Sequence, residues 1–277
     1  MIVWLASYPK SGNTWVRLFL NSLIYTNDNI SNINNIHIGQ FPNRKHFEDI
    51  TDNVDDINEF AKNCINAQLK INLSNKIKFF KTHHANWTNG NNRFTNINTT
   101  LGVIYIVRDP RNIITSLKNH FNLNNYNDAL NFLLDDKKII TFENQKKEIN
   151  LPHIISSWKN HFNSWKKIEK NYLLIKYENL LRSPEEEFEK ITNYVEKIFD
   201  RKYEKARILD AINKNSFDKL KELERKNGFI EAPKFSGNPI SFFNLGKKNN
   251  WKDLLETRIL KIIEKEFEKE MEELDYI

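Results

Sequence analysis

Cysteine is nearly absent: Cys64 is the one such residue among 277. No disulfide can therefore form within the chain. Cys64 falls on an apolar helical stripe and reads as a small core residue rather than a nucleophile. Glycine is also scarce, at seven residues. No Gly/Ser linker and no internal repeat divides the sequence, so one domain over residues 1–277 is expected. No apolar run approaches the ~20 residues that a membrane helix requires, so no membrane insertion is expected. Met1 leads straight into an apolar run, so no signal peptide and a cytoplasmic location are expected. The sequons at Asn72, Asn86 and Asn98 then carry no weight. Neither sign of charge dominates: 42 basic against 36 acidic residues leave +6. That balance suits a polyanionic ligand and permits nucleic acid, but Lys and Glu interleave along helices and read as solvated faces. The abundance of Asn, Lys and Ile reads as codon bias from an A/T-rich genome.

What is present is ample core, with nineteen Phe and six Trp, in an alternating pattern. Residues 2–7 read as a strand and 14–25 as a helix. A helix over 54–69 places Val54, Ile57, Ala61, Cys64, Ile65 and Leu69 near one face. Ile77–Lys81 reads as a second strand, and Gly102–Val107 as a third whose unbroken apolar character implies burial on both faces. Asp109 and Pro110 are the cap and first residue of a helix reaching about residue 121. A helix over 152–170, a strand over 173–176 and a helix from Ser183-Pro184 to Phe199 follow. Helices near 203–214 and 216–226, a long loop over 227–250 and a helix over 252–273 complete the chain. Strands alternating with helices predict an α/β fold with a central parallel sheet covered by helices, and a ligand crevice at the strands' carboxyl ends. Lys10, Lys81 and Arg108 all emerge at such ends.

The most informative segment is Ser7-Tyr8-Pro9-Lys10-Ser11-Gly12-Asn13-Thr14-Trp15, which joins the first strand to the first helix. Backbone N–H groups and a helix N-terminus there make an anion site, to which Lys10 adds a charge and Ser11, Asn13 and Thr14 add donors. A Walker A loop is lacking, because Lys10 precedes Gly12 by two residues instead of following it. The segment resembles the 5′-phosphosulfate-binding loop of the sulfotransferases that use 3′-phosphoadenosine 5′-phosphosulfate (PAPS), in its cytosolic form S-Y-P-K-S-G-T-T-W. Asn13 is the one departure among the nine positions. Lys81-Thr82-His83 is similar to the family's K-T-H. The run from Tyr105 to Ser116 is similar to the segment whose Arg, here Arg108, and Ser eight residues on, here Ser116, grip the 3′-phosphate. Tyr177-Glu178-Asn179-Leu180 resembles the Y-E-[DN]-[LM] segment whose Tyr contacts adenine. Ser216-Phe217 resembles the later aromatic that packs on adenine. The resemblance spans residues 2 to about 255, implies a P-loop-NTPase-like fold and makes 1–277 a sulfotransferase domain; a bacterial member is expected.

The resemblance implies sulfuryl transfer from PAPS, released as PAP, to a hydroxyl or amine of a small-molecule or glycan acceptor. Such transfer needs a base at the acceptor and cations at the leaving group. His83 is implied as the base, Lys10 at the bridging oxygen and Lys81 at the sulfuryl oxygens. Thr14 and neighbouring N–H groups would bind the 5′-phosphate, and Trp15 would lie against adenine. No metal is expected: His84, His153 and His161 lack ligand spacing, and no carboxylate pair is placed for Mg²⁺. The family's C-terminal F-F-R-K-G-x-x-G-D-W aligns with Phe242 to Trp251, but Asn244-Leu245-Gly246 replaces R-K-G. Lys247 or Lys248 would have to supply the missing cations, as point charges rather than an Arg fork. The acceptor pocket should come from loops near 37–47, 84–100, 119–150 and 228–243, where Phe41, His84, Trp87, Phe94, Phe121 and Tyr126 either line it or pack as core. No nucleic-acid partner is expected, and no clear copy of the family's short dimer motif indicates the oligomeric state. A small-molecule kinase predicts a true G-K-[ST] and an acidic metal ligand, and a non-catalytic nucleotide binder needs no Lys10, Lys81 and His83 at three strand ends.

Overall fold

The first apolar run forms a strand buried at every position, β1 (Ile2–Ser7), and the strands that join it fix the sheet. They are β2 (Gly39–Gln40), β3 (Lys78–Thr82), β4 (Thr100–Val107) and β5 (Tyr172–Lys176), in the order β2-β3-β1-β4-β5. The pairings β2–β3, β3–β1 and β1–β4 are all parallel. The computed structural model describes residues 1–25, 33–141, 151–232, 234–235, 238–239, 241–244 and 246–277, with side chains at all of these but 234, 235, 238, 239 and 247. Tertiary contacts group the chain into two units: Met1–Tyr8, Ile38–Val107 and Asp135–Leu174 in the first; Pro9–His37, Arg108–Leu134 and Ile175–Ile277 in the second.

The first unit holds most of the sheet, with α2 (Ile57–Asn72) and, numbered in chain order, α5 (Trp158–Lys166). Trp4 is its centre, with Phe41, Phe94 and Trp165 rings 5.3 to 6.2 Å away. Its indole N–H donates to the Thr100 hydroxyl at 2.9 Å, satisfying a polar atom that burial would otherwise strand. Asp56 caps α2 by accepting from the Asn58 and Glu59 N–H groups at 2.9 and 3.0 Å. The helix therefore runs three residues later than the 54–69 expected, and Leu69 turns out exposed. Cys64 is fully buried, and burial raises its thiol pKa well above the ordinary value. Phe41, His84 and Phe94 are also fully buried and pack on one another's neighbours as core.

The second unit holds α1 (Asn13–Ile24), α3 (Pro110–His120), α4 (Tyr126–Leu134), α6 (Tyr177–Arg182), α7 (Pro184–Phe199), α8 (Lys205–Lys214) and α9 (Phe217–Asn227). It ends in α10 (Trp251–Leu254), α11 (Thr257–Glu266) and α12 (Glu268–Glu273). Phe19 of α1 stacks on Phe188 of α7 at 4.1 Å, and Arg207 of α8 donates to the Leu23 carbonyl at 2.8 Å. No helix among the described residues is long and apolar enough to cross a membrane.

Candidate active site

The loop after β1 turns sharply into α1 because Gly12 takes a left-handed backbone. Gly12 sits at φ +98° and caps α1 without any side-chain bond. Its carbonyl accepts the N–H groups of Trp15 and Val16 at 3.1 and 3.4 Å, so the helix begins at once. The positive end of that helix favours an anion. Lys10 adopts φ +68°, a left-handed conformation uncommon for a residue with a side chain. Arg108 Nη1 pins this turn by donating to the Lys10 carbonyl at 2.8 Å. A Cβ on Gly12 would drive into the Tyr177 ring, so only glycine fits where that ring meets the loop.

Around Tyr177 the structure gathers several of the residues expected to hold a nucleotide. The Arg108 guanidinium lies 4.3 Å above the Tyr177 ring. Trp15 meets Tyr177 and Phe217 edge-on at 6.2 and 6.0 Å, and its indole donates to the Asn215 carbonyl at 2.6 Å. Gly246, at φ +52°, passes so close to Phe217 that a Cβ would come within 2.5 Å of the ring. Ser116 lies two turns along α3 from Arg108, half-buried. Among the described residues Arg108 makes no ion pair with its neighbour Asp109. Asp109 instead caps α3 and takes the Arg111 fork, Nε at 3.0 Å and Nη2 at 2.8 Å. Arg108 Nε and Ser11 Oγ are buried without a hydrogen-bond partner. Two orphaned donors at a helix N-terminus, each costing about 1–3 kcal/mol unpaired, fit a ligand that brings anionic oxygens. Thr14 differs: its hydroxyl donates to Glu231 Oε2 at 3.4 Å, and Glu231 also pairs with the buried Arg17.

In the first unit, the β1–β3 register pairs Ala6 with Thr82, so His83 leaves β3 beside Ser7. His83 Nδ1 lies 2.9 Å from the Ser7 carbonyl and 3.3 Å from its hydroxyl. A carbonyl can only accept, so Nδ1 carries the proton and Nε2 keeps the lone pair. Burial, then the charge of the largely buried Lys81, hold the His83 pKa well below its ordinary value, so the ring is neutral near pH 7. His161 braces it from behind: Nε2 donates to the His83 carbonyl at 3.2 Å, and Nδ1 accepts from the Tyr105 hydroxyl at 2.8 Å. Burial pushes His161 down to about 3. His84 Nδ1 accepts from the Trp87 indole and the Ile154 N–H, both at 3.3 Å. Among the described residues no three His, Cys, Asp or Glu side chains are placed to hold a metal ion.

The family model of the sulfotransferase domain matches residues 2–275. The chain belongs to that family. Its relatives include flavonol 3-sulfotransferase of Flaveria bidentis, 24% identical over an alignment of 281 positions that covers 95% of this chain and 79% of that protein. Among solved structures, mouse sulfotransferase SULT7A1 complexed with PAP superposes with a TM-score of 0.54 at 18% identity, covering 98% of this chain and 84% of the other. Retinol dehydratase in complex with retinol and PAP gives 0.58 at 18% identity, covering 98% and 81%. The expected fold and the reading as a PAPS-dependent sulfotransferase agree with all of these.

This sulfotransferase departs from the family pattern after Phe243, as its sequence indicates. Asn244 accepts the Lys221 ammonium on its carbonyl at 2.9 Å, and Lys248 is exposed. Leu245 and the side chain of Lys247 lie outside the described residues, as do 142–150, 233, 236, 237 and 240 of the loops expected to build the acceptor pocket. Several contacts around the candidate site escaped sequence reasoning. Ser7 acts through a carbonyl, which leaves no trace in a sequence. Glu178 was visible inside the Tyr177–Leu180 segment: it accepts from the Asp109 N–H at 3.0 Å and the Tyr276 hydroxyl at 2.9 Å. Arg17 and Glu231 carried no signal.

Proposed function

We propose that this protein transfers a sulfuryl group from PAPS to a hydroxyl or amine of a small-molecule or glycan acceptor, with His83 as general base. PAPS supplies the sulfuryl group and leaves as PAP. The observation that carries this reading is the His83 tautomer: with Nδ1 committed to the Ser7 carbonyl, Nε2 is free to take the acceptor proton. As that proton leaves, the acceptor atom bonds to sulfur, the bond from sulfur to the 5′-phosphate oxygen breaks, and charge builds on the phosphate. Lys10 stabilises that charge at the bridging oxygen, and Lys81 steadies the sulfuryl oxygens. Ser11, Gly12, Asn13 and Thr14 hold the 5′-phosphate. Arg108 and Ser116 hold the 3′-phosphate, with Gly246 and either Lys247 or Lys248 closing that side. Trp15, Tyr177 and Phe217 form the adenine contact. The same reading treats residues 1–277 as one sulfotransferase domain acting in the cytoplasm. The relatives support small acceptors: retinol dehydratase carries retinol or androsterone beside PAP in its solved complexes.

Thermal shift in EDTA with PAP, ADP and ATP tests the donor half. PAP at a hundred times its dissociation constant adds about 2.7 kcal/mol of stability; a larger shift with ATP overturns the assignment. An acceptor screen with radiolabelled PAPS then tests the base. His83→Ala loses roughly 10²–10⁴-fold in turnover and keeps its PAP affinity, whereas normal turnover removes His83 from the mechanism.

A further inference from the structure

We propose that His120 is a positioning residue that holds the Lys10 ammonium for the leaving group; this rests on the sulfotransferase reading. Lys10 Nζ lies 3.2 Å from Nδ1 of His120, the last residue of α3. An ammonium has only donors, so Nδ1 is the acceptor and His120 is a neutral imidazole with its proton on Nε2. The same ammonium lies 4.4 Å from the centroid of the Phe242 ring. Phe242 stands edge-on to His120 at 6.3 Å, and Phe121 meets the imidazole edge-on at 5.0 Å. Both rings that hold the ammonium are therefore themselves held. The Phe242 N–H donates to Glu224 of α9 at 2.5 Å, and its ring packs on Phe229 at 5.0 Å.

The chemistry of these two partners matters. A Lys side chain has four rotatable carbons and a large rotamer entropy, so an unheld ammonium samples many positions. A lone pair on one side and a ring face on another select one of them. Neither partner carries a negative charge, so this pair of contacts orients the ammonium without neutralising it. These two contacts take nothing from the charge it offers the oxygen that bridges phosphate and sulfur. The backbone contributes as well, since Arg108 fixes the Lys10 carbonyl from which this side chain projects.

The test uses hydrolysis of PAPS by the purified protein, in which water is the acceptor: its oxygen bonds to sulfur, the bond to the phosphate oxygen breaks, and PAP and sulfate are counted. His120→Phe keeps a ring and removes the lone pair. His120→Asn returns an acceptor near the Nδ1 position. We expect His120→Phe to lower turnover about ten- to hundredfold, the scale of one charge-assisted hydrogen bond, with PAP affinity changed less than about threefold. His120→Asn recovers most of the loss. In the wild type, long-range ¹H–¹⁵N spectra report His120 with its proton on Nε2, and Lys10→Met shifts its Nδ1 resonance. Normal turnover in His120→Phe overturns the proposal, as does failure of Asn to rescue, or an Nδ1 signal indifferent to Lys10→Met. If the wild type neither binds PAP nor consumes PAPS, the sulfotransferase reading falls and takes this proposal with it; if the wild type does both and the variants behave alike, only this proposal falls.

Discussion

Glu231 sets a carboxylate against the helical turn proposed to meet the 5′-phosphate. Thr14 donates to it at 3.4 Å and Arg17 pairs with it. A like charge this near an incoming anion opposes binding, by a few kcal/mol at most across a partly screened site. We therefore expect Glu231→Gln to tighten PAP binding severalfold in calorimetry, with Arg17 released to face the phosphate. Unchanged affinity would mean that Glu231 swings away when the ligand arrives. At this scale legibility follows sequence distance. Gly12 was readable because a tight turn demanded a residue without a Cβ, and Lys10 because the motif surrounded it. Glu231 is 217 residues from Thr14, and His120 is 110 residues from Lys10; no local pattern encodes either partnership. Arg108 was readable as a candidate, but the pairing of the adjacent Asp109 with Arg111 was not.

Secondary-structure elements were legible where caps and apolar runs agreed. β1, β4 and α3 fall close to their expected bounds, because unbroken apolar residues mark the strands and Asp109-Pro110 marks the helix start. The helix expected over 152–170 spans only Trp158–Lys166: Ser157 caps it, and His153-Ile154 pair instead with Ile139-Ile140. A two-residue pairing is too short to leave a periodic trace. The helix expected over 252–273 is three pieces, broken where Leu255 turns extended and at Phe267. Those breaks bring the chain end back to α6. Tyr276 donates to Glu178, its carbonyl accepts from Arg111 at 2.7 Å, and the Leu274 carbonyl accepts from Lys176. Glu178 is buried enough that its pKa rises. Removing its phenol donor should cost about 1–3 kcal/mol. Tyr276→Phe is thus expected to lower the melting temperature by several degrees, at roughly 2–4 °C per kcal/mol for a chain of this size. An unshifted melt would show water taking the phenol's place.

For the molecule as a whole, net charge was countable from composition, but the pH dependence of stability was not, because it depends on which histidines are buried neutral. Five of the seven are held low in the first unit. Burial takes His46 to about 4, and His153 and His161 to about 3 each, with Lys45 and Lys81 adding to the first two; it lowers His83 and His84 well below their ordinary value. In the unfolded chain each returns to about 6.5. Between those values the unfolded state binds protons that the folded state refuses, so stability rises with pH across the window. It is fully present above about pH 6.5 and drains away as pH falls toward 3–4. Each such histidine costs up to ~1.4 kcal/mol per pH unit, or about 2 kcal/mol by pH 5. Glu178 acts in the opposite sense, since a carboxyl with a raised folded pKa favours the folded state as pH falls, but it is one group against five. Urea unfolding should therefore show a steep loss of stability between pH 7 and 5, large against the 5–15 kcal/mol typical of folded proteins. His161→Gln keeps a donor for the His83 carbonyl and cannot be charged, so its stability should fall less steeply with acid than the wild type's. Wild-type stability that stays flat from pH 7 to 5, or an equal slope in His161→Gln, would refute the assignment of acid sensitivity to these rings.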